Sequence, residues 1–299
     1  MNVSTLIEQN KDLLRIKVHE DVGVKILKYR SIVFYDGLWN DFLKECRGLV
    51  LDMNNNIVSY SFTKIYNFRK ETGAPEWEDD LEVDVVRKIN GFMVAIGNYK
   101  GTLLVSTTGS IDSDFVTLAR KHVTPELEKF ILETDGSFTF MFECCDPSDP
   151  HIIDEEPGLY FLGCRENKFG SRIHYNPNHE VWDSLGVRTV PVERMTVGEV
   201  KEALKICRHE GYVMYSETPN CDTGNWTQEA TKWKSPYYLI KKLFMRGNIE
   251  KLLARDIKET IDEEYYGLVD AISANRDEFS AMEEADRKVW IEQFLGEMK

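Results

Sequence analysis

The chain has 299 residues, of which 42% are hydrophobic, so it can form one large domain or a large domain with a small appendage. Its net charge of −14 excludes a protein that coats nucleic acid through a generally basic surface, so a nucleotide or nucleic acid would need a local cluster of cations. It has no apolar run long enough to span a membrane, and its six scattered cysteines lack zinc-like spacing, which together indicate a reduced, cytoplasmic protein.

Short apolar runs separated by turn signals fill residues 47–234 and predict a body rich in strands. The runs are RGLVLD, NNNIVSYSF, FMVAIGNYKGTLLVS, SFTFMFE, LYFLGC and GYVMYS. Residues 98–101 predict a tight turn that joins two of these strands into a hairpin.

Helices are predicted at three places. The segment 114–133 is helical in pattern, with a break at its proline, and a second helix begins at Thr196, where Glu199 completes a capping box. Residues 239–299 carry apolar side chains three or four positions apart and no strand signal. The predicted fold class is therefore α+β: antiparallel sheets with flanking helices over residues 1–238, followed by a small all-α domain over 239–299.

The stretch Lys88-Ile89-Asn90-Gly91 lies between two apolar runs and allows two interpretations. Asn-Gly is a common hairpin turn, which would make Lys88 a solvated strand end. Alternatively, Lys88 is a nucleophile presented at a tight turn beside a phosphate site. An ordinary lysine has a pKa near 10.4, so this second role needs neighbouring cations or burial to lower it.

Lys232 and Lys234 can supply such cations. If residues 232–234 form a strand, both ammonium groups lie on one face and Trp233 lies on the other. Two cations on one face can bind a phosphate and offset charge on a transferring phosphoryl group. The alternative is a solvated edge strand whose lysines oppose aggregation.

Two carboxylates and two further cations stand at the ends of predicted elements. Glu143 ends a strand on the face opposite three phenylalanines and could bind a ribose hydroxyl, or could simply be a polar side chain on the protein surface. Glu210, between a helix and a strand, could hold a hydrated divalent ion or simply end the helix. Arg47 and Lys64 could bind phosphate, or could be surface residues whose stems pack on aromatic rings.

Seven short motifs follow one another as ECRGLVLD, FTKIYNF, KINGF, FMFE, LGCREN, EGYVMY and KWKSPYY. Their order and spacing over about residues 40–240 resemble the RNA ligase 1 family of bacteriophages, a branch of the covalent nucleotidyltransferases. The ECRG sequence and a tyrosine four residues after the last motif lysine are typical of this branch. The C-terminal 61 residues resemble the family's helical appendage in type only.

The resemblance implies a nucleotidyltransferase fold and an ATP-dependent RNA ligase that requires Mg²⁺ and serves RNA repair, in the host cytoplasm if the protein is phage-encoded. In such an enzyme a lysine attacks ATP and releases pyrophosphate, AMP moves to an RNA 5′-phosphate, and an RNA 3′-hydroxyl displaces AMP. The resemblance makes Lys88 the nucleophile, Lys232 and Lys234 the α-phosphate cations, and Glu210 the metal ligand. It assigns nucleotide binding to Arg47, Lys64, Asn90, Gly91, Glu143 and Tyr238. No membrane or protein partner is implied.

Two positions depart from the family pattern. Asn90 stands where an acid is usual, and it keeps the shape of an aspartate but cannot act as a base or bind an ion tightly. Thr108 stands where the phage enzymes carry a lysine just before Gly109, so one phosphate cation is missing.

Two other functions remain open. A capping-type guanylyltransferase shares the nucleophile and the lysine pair, but it usually carries an OB-fold module, and no barrel of short strands follows Lys234. A degenerate nucleotide-binding or RNA-binding relative without ligation activity is suggested by Asn90 and Thr108. Such a protein would have no physical need for Lys88.

Overall fold

The protein structure, a computed structural model, describes residues 3–149, 151–219, 226–255 and 257–297. In chain order the strands are β1 Leu14–His19, β2 Val24–Tyr29, β3 Arg47–Asp52, β4 Ile57–Ser59, β5 Tyr66–Asn67, β6 Glu82–Arg87, β7 Phe92–Tyr99, β8 Thr102–Ser106, β9 Phe138–Cys145, β10 Gly158–Glu166, β11 Val192–Thr196, β12 Gly211–Pro219 and β13 Trp226–Lys234. The helices are α1 Val3–Gln9, α2 Ser31–Tyr35, α3 Asp41–Glu45, α4 Asp114–Lys121, α5 Pro125–Leu132, α6 His179–Ser184, α7 Val197–Ile206, α8 Pro236–Arg246, α9 Ile249–Leu253, α10 Tyr266–Ala274, α11 Arg276–Ala281 and α12 Glu284–Glu297.

The strands form three sheets. The first has the order β1-β2-β3-β4 and the second the order β10-β9-β7-β8, and both are antiparallel. The third has the order β11-β6-β12-β13-β5, in which only the short pairing of β13 with β5 is parallel among the described pairs. The α+β fold class with antiparallel sheets and flanking helices is confirmed.

The second and third sheets face each other across a shared apolar layer that includes Met141 of β9 and Tyr215 of β12. The opposite face of the second sheet packs on α4, α5 and α6, where Phe140 and Phe142 contact Trp182. This alternation leaves Glu143 on the inner face, because successive side chains of a strand point to opposite sides. Helix α7 covers the outer face of the third sheet.

The local predictions agree with the structure. The predicted turn closes the β7–β8 hairpin, with Lys100 and Gly101 both at positive φ, as a two-residue hairpin turn requires. Helix α5 begins at its proline, as the break in segment 114–133 predicted. Helix α7 carries the complete Thr196–Glu199 capping box.

The C-terminal helices α8 to α12 share one apolar cluster, which also includes Ile152 and Ile153 from the body. Lys288 on α12 donates to the carbonyl oxygen of His151, with Nζ and O 3.1 Å apart. Helix α8 spans the predicted boundary between residues 238 and 239, and that division into two domains stays a prediction. None of the described helices is long and apolar enough to cross a membrane.

The cysteines that the structure describes are all free thiols: Cys46, Cys144, Cys145, Cys164 and Cys207. The sixth, Cys221, lies outside the described residues.

Candidate functional site

A cavity of about 200 Å³ opens between the second and third sheets. It is lined by Arg47, Phe62, Ile65, Val86, Arg87, Lys88, Ile89, Met93, Thr108, Glu143, Leu162, Val213, Tyr215 and Lys232. Among these described residues there are four cations and one carboxylate, in a chain with a net charge of −14. The cavity is therefore a local cationic site in an acidic protein, with apolar walls.

Lys88 directly follows β6, and its backbone N–H donates to the carbonyl oxygen of Gly211 at 2.8 Å. Its Nζ lies 3.1 Å from Glu210 Oε2 and 4.0 Å from Glu143 Oε1. Burial lowers the pKa of Lys88, but the two carboxylates outweigh burial, so its pKa is raised. The expectation that cations would lower this pKa is wrong for this structure, because carboxylates are the nearest charges.

Asn90 has a structural task that the sequence did not reveal. Its Nδ2 donates to Glu210 Oε2 at 2.8 Å, and its Oδ1 accepts from the backbone N–H of Ile153 at 2.9 Å. An aspartate at this position could not donate to Glu210 and would place two carboxylates in contact. The amide therefore orients Glu210 and links it to the apolar cluster of the C-terminal helices.

Gly91 allows its backbone to approach β9 closely. Its N–H donates to Glu143 Oε1 at 3.1 Å, and a Cβ on this residue would overlap the backbone carbonyl of Cys144. The resemblance assigns Gly91 to nucleotide binding, and that role stays a prediction. In the structure the close approach of Gly91 to β9 positions the turn that carries Lys88.

We expect Gly91→Ala to lower the free energy of unfolding by about 1–3 kcal/mol or more, and to lower the melting temperature accordingly. The new Cβ would overlap the backbone oxygen of Cys144, which cannot move aside as a flexible side chain could. Thermal and urea unfolding would measure this. Gly296→Ala is the matched control, since a Cβ there meets no atom within 4 Å. Equal stability of the two variants would contradict the close approach.

Strand β13 presents Lys232 and Lys234 on one face, as their spacing predicted. Trp233 points the other way and packs on Phe68, with ring centroids 4.9 Å apart. Lys232 lines the cavity, whereas Lys234 Nζ binds Glu210 Oε1 at 2.9 Å. The two lysines therefore have different roles: the Lys232 ammonium faces the cavity, and the Lys234 ammonium holds the Glu210 carboxylate.

Of the two lysines that line the cavity, Lys232 is the one whose pKa is lowered. Burial lowers its pKa to about 7, together with repulsion from Arg47, Lys234 and Lys88. Neighbouring cations, which were expected to lower the pKa of Lys88, thus lower the pKa of Lys232 instead.

Tyr238, on the first turn of α8, is buried beneath Lys234, whose Nζ stands 4.6 Å from the centre of the tyrosine ring. This contact places Tyr238 behind the lysine pair rather than in the cavity. Its predicted role in nucleotide binding would therefore be exerted through Lys234.

Glu210 and Glu143 flank the Lys88 ammonium, and both are buried. Burial would raise the pKa of Glu210, but Lys88 and Lys234 hold it below its usual value, whereas burial keeps the pKa of Glu143 raised. No group of three or more His, Cys, Asp or Glu side chains is placed to hold a metal in the part of the chain that is described. The donor set suits a hydrated divalent ion shared with ligand phosphates, which is how Mg²⁺ commonly binds, rather than a closed protein cage.

The two upstream cations have different positions. Arg47, at the start of β3, lines the cavity, as does Thr108. Lys64 does not line the cavity: its Nζ binds Glu71 Oε2 at 2.7 Å and lies 4.2 Å from the centre of the Tyr66 ring. Of the two upstream cations, Arg47 therefore faces the cavity, whereas Lys64 is held in a largely buried ion pair outside it.

Sequence reasoning missed two features of the site. The apolar walls of the cavity come from four strands and two loops, and the sequence indicated their inner face only through the alternation of side chains within strands. Arg165 of the LGCREN motif is buried, lies 3.5 Å from the ring centre of Tyr60, and binds Glu45 Oε2 of the ECRG motif at 3.2 Å. These two motifs are thus joined by a structural ion pair that no local pattern predicted.

The arrangement has a clear chemical capacity. A primary amine, three further cations and an apolar wall surround one cavity, which fits a ligand that carries phosphates on a flat ring system. The amine stands where it can form a bond to a phosphorus atom held by the neighbouring cations.

Comparisons with known proteins give the family and the fold. A family model described as RNA ligase, of the phage T4 RNA ligase 1 type, matches residues 45–238. An archaeal ATP-dependent RNA ligase, solved in two forms, has a similar fold, with TM-scores of 0.58 and 0.51 at 16% and 17% identity. The alignments cover 99% and 98% of this chain and 80% and 75% of the archaeal chain, and at such identity they show the fold alone. A search of curated proteins gave no significant match.

Proposed function

The chain belongs to the RNA ligase family of the phage T4 RNA ligase 1 type, and from this we propose that it uses ATP to join RNA 5′-phosphate and 3′-hydroxyl ends. As a member of this family it is a ligase. The observation that supports the mechanism is the position of Lys88 Nζ in a cavity that also presents Arg47 and Lys232. The archaeal protein of similar fold is described as an ATP-dependent RNA ligase, which agrees with the choice of nucleotide.

In the proposed first step, Lys88 Nζ attacks the α-phosphorus of ATP. A P–N bond forms, the bond to the β-phosphate oxygen breaks, and pyrophosphate leaves. Lys88 must first lose its proton, and the flanking carboxylates of Glu143 and Glu210 are within reach to accept it. Arg47 and Lys232 would offset the charge on the phosphates.

In the second step, an oxygen of the RNA 5′-phosphate attacks the lysyl-AMP phosphorus, and the Lys88 amine is released. In the third, the RNA 3′-hydroxyl attacks the 5′-phosphorus of the RNA-adenylate, and AMP leaves. Both are displacements at phosphorus, so the same cationic wall would serve them. Joining such ends restores a cleaved RNA, and we place the protein in RNA repair.

We propose that Glu210, assisted by Glu143, holds a hydrated Mg²⁺ together with the ligand phosphates. When bound, such an ion neutralises charge on the phosphates and polarises their oxygens. Lys234 and Asn90 keep the Glu210 carboxylate in place beside Lys88. Glu143 would in addition accept a hydrogen bond from a ribose hydroxyl.

Incubation with ATP or GTP labelled at the α-phosphate, followed by denaturing electrophoresis, tests this function. We expect a labelled protein with ATP and its loss on addition of 5′-phosphorylated RNA, with sealed RNA as the product. Labelling by GTP alone would indicate a capping-type guanylyltransferase. No covalent label with either nucleotide would indicate a binding protein without ligation activity.

We expect ATP affinity to fall as the pH rises from about 7 to about 9. The pKa of Lys232 is about 7 in this structure, and phosphates nearby would raise it, so binding takes up a proton in this range. ATP affinity is highest below the pKa that Lys232 has in the free protein. It falls as Lys232 of the free protein deprotonates, by at most about tenfold per pH unit.

Calorimetry with an ATP analogue that has a methylene bridge between the α- and β-phosphates would measure both the affinity and the proton uptake. Lys232→Arg is the control, because arginine stays charged throughout and should give a nearly flat profile. An equally steep profile in that variant would show that another group titrates.

A further inference from the structure

A second concave surface lies beside α2, on the first sheet. This groove, which we call the α2 groove, has a volume of about 680 Å³ and is lined by Arg15, Lys28, Tyr29, Arg30, Ser31, Ile32, Phe34 and Tyr35. It contains three cations and no carboxylate among the described residues. Phe34 is 47% exposed and Tyr35 is 80% exposed, so two adjacent aromatic rings face solvent beside these cations.

The cations of the groove continue a row across three strands. In the strand register Arg15 of β1 faces Lys28 of β2, and Lys28 faces Arg47 of β3. Residues directly opposite one another share a face of the sheet, and like charges in such pairs oppose folding. Neither Arg15 nor Lys28 forms an ion pair with a carboxylate in the described ranges, so the protein itself does not offset the repulsion. A row of this kind is suited to a polyanion.

The row leads from the groove into the cavity of Lys88. Its last member, Arg47, lines that cavity. A Cβ on Gly109 would lie 3.6 Å from Lys28 Nζ, and Gly109 follows Thr108, which lines the cavity as well. The backbone at Gly48 touches the same loop, since a Cβ there would be 2.7 Å from the oxygen of Thr107. The groove and the cavity are thus neighbours, with Lys28 of the groove beside Arg47 of the cavity.

Exposed aromatic rings beside cations are the chemistry that single-stranded nucleic acid requires, because bases stack on rings while phosphates bind cations. We propose that the α2 groove binds the single-stranded RNA end that the cavity processes, with Arg15 and Lys28 on phosphates and Phe34 and Tyr35 on bases. This proposal rests on the proposed function, since it names the path of that RNA. A small anion such as a triphosphate would leave the exposed rings unused.

The test measures RNA affinity directly, without ATP. A fluorescent, 5′-phosphorylated single-stranded RNA is titrated with the full protein at several salt concentrations, and anisotropy reports binding. We expect Tyr35→Ala to weaken binding about tenfold, as loss of one stacked base would. Arg15→Gln and Lys28→Gln should each reduce the slope of log affinity against log salt by about 0.7, the value for one lost phosphate contact.

Controls separate stacking and charge from folding. Tyr35→Phe keeps the ring and should bind as the parent does, and Tyr266→Ala and Lys121→Gln remove an exposed tyrosine and an exposed cation outside the groove. Self-adenylation by ATP without RNA should be unchanged in Arg15→Gln and Tyr35→Ala, which lie outside the cavity lining.

Parental RNA affinity in Arg15→Gln and Tyr35→Ala, with intact melting curves, would overturn the proposal. Slower adenylation in Lys28→Gln with unchanged RNA affinity would also overturn it, because the row would then serve the triphosphate. If the parent forms no lysyl-AMP, the proposed function fails, but the anisotropy measurements still decide the groove because they need no ligation.

Discussion

Lys88→Ala is expected to abolish the covalent AMP adduct. The lysine amine is the atom that forms the P–N bond, and alanine offers no nucleophile at this position. Sealing of RNA supplied with a pre-adenylated 5′ end should persist, because the last step needs no lysyl-AMP. Labelling with ATP and a separate sealing assay would measure the two effects.

Loss of the AMP adduct in Lys88→Ala must be distinguished from loss of the folded structure. Lys88 is one of the cations that balance the buried Glu210 and Glu143, and removing a partner from a buried ion pair costs about 3–5 kcal/mol in general. Lys88→Arg keeps the charge and should melt near the parental temperature, yet it should form no adduct, because arginine stays protonated. Lys205→Ala, an exposed lysine on α7, should label as the parent does.

The cavity contains a second lysine amine, so the residue that carries AMP must be identified directly. Lys232 lines the same cavity, and with a pKa of about 7 it is largely neutral above that pH, whereas the pKa of Lys88 is raised. By titration alone Lys232 would be the better nucleophile. Mass spectrometry of the adduct should locate AMP on Lys88, and AMP on Lys232 in either the parent or Lys88→Ala would refute the assignment.

Lys232→Ala and Lys234→Ala are each expected to slow adenylation by about a hundredfold or more. Removing a group that stabilises developing charge at a reacting centre costs about 2.7–4 kcal/mol of barrier, by analogy with one oxyanion-hole donor. Lys232 would act on the phosphates directly, and Lys234 would act partly by holding Glu210. Single-turnover rates of lysyl-AMP formation would measure both.

Substitutions at positions 232 and 234 should change the stability of the protein in opposite directions. Burial and repulsion lower the pKa of Lys232, so its charged form opposes folding, and this cost grows as the pH falls from the unfolded value of about 10.4 through 7. Lys232→Met should therefore melt at least as high as the parent, most clearly below pH 7. Lys234→Ala leaves Glu210 with one fewer partner, which should cost about 1–3 kcal/mol of stability.

Adenylation within a few-fold of the parent in either alanine variant would show that the lysine is an ordinary strand residue. Lys205→Ala again serves as the control for loss of one cation. If Lys234→Ala loses its cooperative melting transition, single-turnover adenylation should be measured in Lys234→Gln instead, because glutamine removes the charge but can still donate a hydrogen bond to Glu210.

Features whose physical cause is local could be predicted from the residues alone. Strand alternation put Phe140 and Phe142 on one face of β9 and Glu143 on the other, and a two-residue spacing put Lys232 and Lys234 together. The Thr196 cap needs only the next three residues, and the hairpin turn needs only its own backbone. These interactions depend on neighbours along the chain, so the pattern of residues was sufficient to predict them.

Which charged side chains come into contact depends on how the sheets and loops pack in three dimensions. Lys88 lies against Glu210, 122 positions away, so the direction of its pKa shift could not be inferred from the presence of Lys232 and Lys234 in the sequence. Lys64 turned to Glu71 instead of the cavity, while Arg15 and Lys28 were aligned with Arg47 by strand register. Electrostatic energy depends on distance and burial in space, which the sequence leaves open until the sheets pair and close around the site.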